Sequence, residues 1–308
     1  MKKKNVSPAD EIRALLKGVR PEVIEKATCR PTREGMFKAV LKASFVRIHE
    51  YVEFVHTNMS DTGPGSFFGS APLRQCCEDL IALKYLAMLK RRDRDNVIQA
   101  LMVISTGKAS EKQGEFFKRN HPYQPVLTST FEPAAIDKAK NLLNEVGTRT
   151  AHWRTQNKLP PIEQMALKVG LSELYEYLYA ATSEIVHFNV RIALRSGWGS
   201  GKNEFTFSPS NFAVFYGQFS RVYAAYIWFS FCRTFRSALR LSPDFMHTVD
   251  AVELAIESII RWPELVTFEE MNVPLNDNII LRALLTVKQN ERIEKLKKKH
   301  AKRKARIA

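Results

Sequence analysis

The sequence predicts an all-α protein, and three observations carry that prediction. Apolar residues recur at spacings of three, four and seven over most stretches between turn signals, the stripe that packs a helix onto a core. No stretch shows a convincing alternation of apolar and polar residues with the period of two that a half-buried strand requires. No self-similar unit recurs along the chain, so the helices are expected in one multi-helix bundle and not in a solenoid. With 308 residues, 45% hydrophobic and 26% charged, the composition is that of an ordinary globular protein, whose core needs neither metal nor disulfide.

The elements follow in order. Ser7 and Pro8 make an N-cap followed by a proline at the first helical position, and they open a short amphipathic helix to Leu16 within an N-terminal helical segment, 1–32. The all-helical body spans 33–285. It begins with a long helix from about Arg33 to Met59, whose apolar positions are Phe37, Val40, Leu41, Phe45, Ile48, Val52 and Val55. Gly63, Pro64, Gly65 and Gly69 break the chain, and Ser70 can cap the next helix, roughly Ala71 to Arg91. There Leu73, Cys77, Leu80, Leu83 and Leu86 share one side, while Arg74 and Glu78 stand at the i,i+4 spacing of an ion pair. The polar stretch 106–133, with several Gly and Pro, reads as an exposed insertion around a short helix.

Helices resume at about Pro133 to Arg149 and Pro161 to Val169, and a further helix is expected to run unbroken from about Tyr175 past Arg191. A Gly-, Ser- and Asn-containing turn, Ser196 to Ser210, stops it. Asn211 to Leu239 is densely aromatic, with rings around the whole helix circumference, which suits a core helix or a homo-oligomer interface through 212–239. It is too short for a membrane span: Arg221 and Arg233 leave 11 uncharged residues between them, where about 20 are needed.

The net charge of +15 is concentrated at the ends: Lys2, Lys3 and Lys4, and then ten Lys or Arg against Glu291 and Glu294 from Thr286 onward, leave the body at only +4. Residues 286–308 are therefore expected to continue as a basic helical arm. Lys297, Lys298, Lys299, Lys302, Arg303 and Lys304 are its candidates for pairing with the phosphates of RNA or another nucleic acid; a solvated tail is the other reading. The four cysteines form no CxxC pair and no zinc set, so no metal is expected. With no apolar segment after the basic N-terminus, they point to a reduced, cytoplasmic setting.

The best candidate site is the register Tyr175, Tyr179, Ser183, His187, Arg191, each four residues beyond the last. On a helix such residues advance about 40° per step, so Ser183, His187 and Arg191 fall within about 80° of one another. Val186, Val190 and Leu194 lie on the same side, so the helix is expected to be covered on both faces. A polar cleft joining Arg74 and Glu78 to Tyr179, Ser183, His187 and Arg191 would suit proton transfer or anion capture: imidazole titrates near neutrality, a carboxylate can orient it, and guanidinium matches phosphate. The plainer reading is a buried polar layer in which Arg74 pairs with Glu78 and His187 with Ser183. A serine on a straight helix lacks the elbow and oxyanion donors of an acyl-transfer nucleophile.

Other matches fail sooner. Gly197-Trp-Gly-Ser-Gly-Lys-Asn is one residue short of a phosphate loop and follows a helix instead of a strand. His49 and His56 share a helical face without a third ligand and read as an exposed edge. His152, beside Trp153, is a secondary candidate at a helix end.

The run Ala71-Pro-Leu-Arg-Gln-Cys-Cys-Glu-Asp-Leu-Ile-Ala-Leu-Lys-Tyr-Leu, with the Tyr-x3-Ser-x3-His core of Tyr175 to Asn189, resembles the bacterial helical proteins of domain-of-unknown-function family 5677, over roughly Lys38 to Arg195. The resemblance implies recurring Arg/Glu and Ser-x3-His helices, here Arg74, Glu78, Ser183 and His187, and brings no reaction or cofactor with it. The layout is also reminiscent of the HEPN helical nucleases, in which an Arg and a His four to six residues apart on one helix act on RNA. This chain departs from that pattern, since His187 precedes Arg191 and Arg149 stands only three residues before His152. The resemblances imply RNA- or nucleotide-directed binding or cleavage, in a bacterial stress or phage response. The alternative is a non-catalytic interaction or dimerisation module.

Overall fold

The computed structural model describes residues 8–59, 62–121, 123–124, 133–150, 153, 158–187, 189–196 and 207–265. Every regular element among them is a helix: α1 (Pro8–Ala27), α2 (Pro31–Glu34), α3 (Met36–Asn58), α4 (Gly65–Phe68), α5 (Pro72–Ala87), α6 (Arg91–Asn120), α7 (Pro133–Arg149), α8 (Ile162–Val169), α9 (Ser172–Val186), α10 (Val190–Arg195), α11 (Ala213–Leu239) and α12 (Pro243–Glu257). None of these helices is long and apolar enough to cross a membrane. Contacts gather the chain into two compact units, 1–27 with 44–77 and 177–308, and 28–43 with 78–176.

The first unit is built around α11. Phe219, Trp228, Phe231 and Phe235 are all at most 3% exposed, with ring contacts from α3, α9 and α12, while Val214, Gln218, Arg233 and Arg236 of the same helix are exposed. Phe231 stacks on Phe45 of α3, and Phe245 of α12 closes on both Phe45 and Trp228. The aromatic stretch is thus mainly a core helix, while Phe212, Phe215 and Tyr226 remain half-buried. Ser242 opens α12, its hydroxyl oxygen accepting from Phe245 N at 3.0 Å and Pro243 following at the first turn. Glu22 of α1 takes both the Ser242 amide (2.9 Å) and hydroxyl (2.5 Å), which ties the two helices together. Sequence reading assigned no element here, although the Ser-Pro start and the stripe Phe245, Val249, Val252, Ile256 were present to be read.

In the second unit α6 and α7 form an antiparallel pair, its register set by Asp93 facing Arg149 at 3.2 Å and Gly107 facing Ile136. The insertion expected over 106–133 is, as far as Asn120, the second half of a 30-residue helix. Gly107 misled because it looks like a helix breaker. It is instead a buried packing residue, where an added Cβ would stand 2.7 Å from the Ile136 side chain. Gly35, at φ +91°, turns the chain into α3. A side chain there would meet the Asp95 carboxylate, which accepts from Phe37 N at 2.7 Å and so closes the α3 N-terminus. Trp153 packs under 3.5 Å from where a Gly147 side chain would start and donates to the Lys158 carbonyl at 2.9 Å.

Candidate functional site

The face of α9 that meets the core is set by Leu178, Ala181 and Thr182, all buried. Tyr177 anchors the same side: its ring lies 5.4 Å from that of Tyr223, and both phenols donate to the Pro263 carbonyl, at 2.8 and 3.2 Å. At 100° per residue this orientation turns Tyr179, Ser183 and His187 to the opposite side, within about 80° of one another. Tyr179 is 41% exposed, Ser183 half-buried and His187 exposed. Val186 and Val190 are more than half exposed, so α9 is covered on one face and not on two as expected. A buried polar layer does not describe an exposed His187.

Across from this face, the Arg74 guanidinium of α5 lies 4.4 Å from the centroid of the Tyr179 ring, a cation–π contact between residues more than a hundred positions apart. Glu78 is half-buried one turn further along α5. The continuous register to Arg191 does not survive. α9 ends at Val186, the chain bends at His187, whose amide still donates to Ser183 O at 3.0 Å, and α10 starts afresh at Val190. Asn189 is the reason: its side-chain oxygen accepts from Ile192 N at 3.2 Å, the N-cap of a new helix inside what the apolar spacing reads as one. Arg191 therefore belongs to α10, outside the α9 register that carries Tyr179 and Ser183. His152 and the arm residues Lys297, Lys298, Lys299, Lys302, Arg303 and Lys304 lie outside the described residues.

The histidines read as an exposed edge are among the most buried polar residues, His49 at 1% and His56 at 2% exposure. Both lie in the first unit, where α11 covers this face of α3. The His49 ring sits 6.0 Å from Trp228, and His56 Nε2 is 3.2 Å from the Arg221 carbonyl oxygen. Burial holds each imidazole down at about 4, the Arg20 charge pushing His49 the same way. The Glu53 carboxylate is 3.9 Å from His49 Nε2, too far for a hydrogen bond, and is engaged by Arg20. These are neutral core residues, not ligands, and among the described residues no group of three His, Cys, Asp or Glu is placed to hold a metal ion.

Taken together, the chain is an all-helical protein with a wet, cation-flanked aromatic and imidazole face on one helix. Residues 70–204, which include Arg74, Glu78, Ser183 and His187, match a family of unknown function, DUF5677. The match starts later and ends later than the stretch that the sequence motifs suggested. No curated protein and no solved structure matches the chain.

Proposed function

We propose that this protein acts on or binds RNA through the outer face of α9, in the cytoplasmic setting that its cysteine usage favours and in a bacterial stress or phage response that the resemblances alone suggest. The carrying observation is the Arg74 guanidinium packed on the exposed Tyr179 ring, on the face that also presents Ser183 and His187. With the Arg74 guanidinium 4.4 Å from the Tyr179 ring centroid, a fixed positive charge of planar geometry, the type that suits a phosphate, stands at this face. Two turns further along, about 12 Å at 1.5 Å per residue, the exposed His187 imidazole stands at the helix end, a group of the type that exchanges a proton with a ribose hydroxyl or a leaving oxygen. Ser183, one turn before His187, suits a hydrogen bond to the same ligand.

Replacing His187 with alanine is expected to lower RNA turnover by at least about a hundred-fold, the usual contribution of a positioned acid or base, with a melting temperature within a degree or two of the parent. Turnover would be followed by gel analysis of a mixed-sequence RNA and melting by circular dichroism. Unchanged turnover, or a large loss of stability, would remove the reading. In the alternative, a non-catalytic interaction module, His187 would matter to neither measurement.

A further inference from the structure

Among the described residues, the register of the α6–α7 pair carries the end of α6 past the start of α7. With Asp93 opposite Arg149 and Gly107 opposite Ile136, the first residue of α7, Pro133, falls near position 110 of α6. About ten residues of α6 therefore run on past it, some 15 Å at 1.5 Å per residue. That overhang carries a cluster of rings. Phe116 lies 5.6 Å from Phe117 and 6.0 Å from His121, and Phe117 is 6.1 Å from His121, all at tilted or edge-on angles. Phe116 is 55% exposed, His121 is exposed, and Tyr123 in the turn beyond is 99% exposed.

Lys118 and Arg119 flank the rings, both exposed. A helix C-terminus carries about half a negative charge, which two cations exceed, so neutralising the helix end does not account for both. Glu115, four residues before Arg119, is paired with Lys112 at 2.9 Å and also feels the Arg119 charge, which leaves Lys118 as the cation without a carboxylate four residues before it. Lysine is depleted from the cores of protein–protein interfaces, whereas solvent-facing rings set among cations are the elements with which single strands are held: any base can stack, and the charges follow the phosphates.

We infer that the overhanging end of α6 is a contact surface for single-stranded nucleic acid, with bases stacking on Phe116 and His121 and the backbone meeting Lys118 and Arg119. The surface lies in the second compact unit and is independent of the chemistry proposed at α9, so a DNA strand, which lacks the ribose 2′-hydroxyl, tests it separately. Binding of a fluorescently labelled twelve-residue oligothymidylate to the full chain would be measured by anisotropy across a salt series. Phe116→Ala is expected to weaken binding at least about five-fold, the lower end for the loss of one base–aromatic stack, and Lys118→Gln with Arg119→Gln to flatten the salt slope by one to two. The exposed Lys17, changed to Gln, serves as the charge control and should do neither.

Phe116→Ala binding with parental affinity would overturn the inference, even if the charge variants bind less well, since attraction without stacking is not this surface. A melting temperature lowered by more than a few degrees in Phe116→Ala would also overturn it, by showing that the ring serves the fold. So would a fall in particle size on light scattering with oligonucleotide affinity unchanged, which would make the rings a protein contact.

Discussion

Trp228→Ala is expected to destabilise the protein by about 3–5 kcal/mol, the cost of emptying a large aromatic site in a core that cannot fully collapse. Trp228 is fully buried, with Phe245 at 5.8 Å and His49 at 6.0 Å between ring centroids, and it sits on the helix against which α4 and α12 pack. Its indole N–H and both ring nitrogens of His49 find no hydrogen-bond partner among the described residues. Trp228→Phe removes that unsatisfied donor while keeping most of the volume. It should therefore cost well under half as much as alanine, a comparison that separates packing from polarity. Urea unfolding of the two variants measures both; equal losses would mean that the site does not behave as a packed core.

Acidification is expected to unfold the first unit before most carboxylates titrate. His49 and His56 have folded-state values near 4 against an ordinary value near 6.5, so the unfolded chain binds the extra protons. A depressed histidine stabilises the fold above the unfolded value, and that stability is lost as pH falls from about 6.5 to about 4. At about 1.4 kcal/mol per unit each imidazole contributes on the order of 3 kcal/mol across this window, so together they reach a large part of ordinary native stability. The charged groups facing His49 are Arg20 and Glu53, which are paired with each other; those facing His56 are Arg13 and Arg221, which oppose a further positive charge. His49→Leu should about halve the loss of stability between pH 7 and pH 4, as read from urea midpoints. A midpoint that does not move with pH over this range would contradict the burial argument.

The helical class was legible because the stripes are simple. Phe37, Leu41, Phe45, Ile48, Val52 and Val55 of α3 are all buried where their spacing puts them, as are Leu73, Cys77, Leu80, Leu83 and Leu86 of α5. The failures have particular causes. Spacing cannot see a cap that restarts a helix in nearly the same register, which is what Asn189 does between α9 and α10. A glycine such as Gly107 reads as a break when tertiary packing is what demands it. His49 and His56 belong to the same face as buried aliphatics, but only the fold shows that α11 covers that face. At the candidate site Ser183 and His187 could be placed on one face from their spacing. That Arg74 would meet Tyr179 depends on how α5 and α9 pack, and no local pattern specifies it. The two compact units are equally invisible in the chain, because α3, α5 and α9 each supply residues to both.

Ultraviolet crosslinking of a uniformly labelled RNA to the full chain, with the attached peptides mapped by mass spectrometry, tests the α9 face most directly. The proposal predicts adducts on the peptide containing Tyr179 and His187, lost when Arg74 is changed to Ala. Adducts confined to other parts of the chain, with that peptide unmodified at saturating RNA, would contradict it.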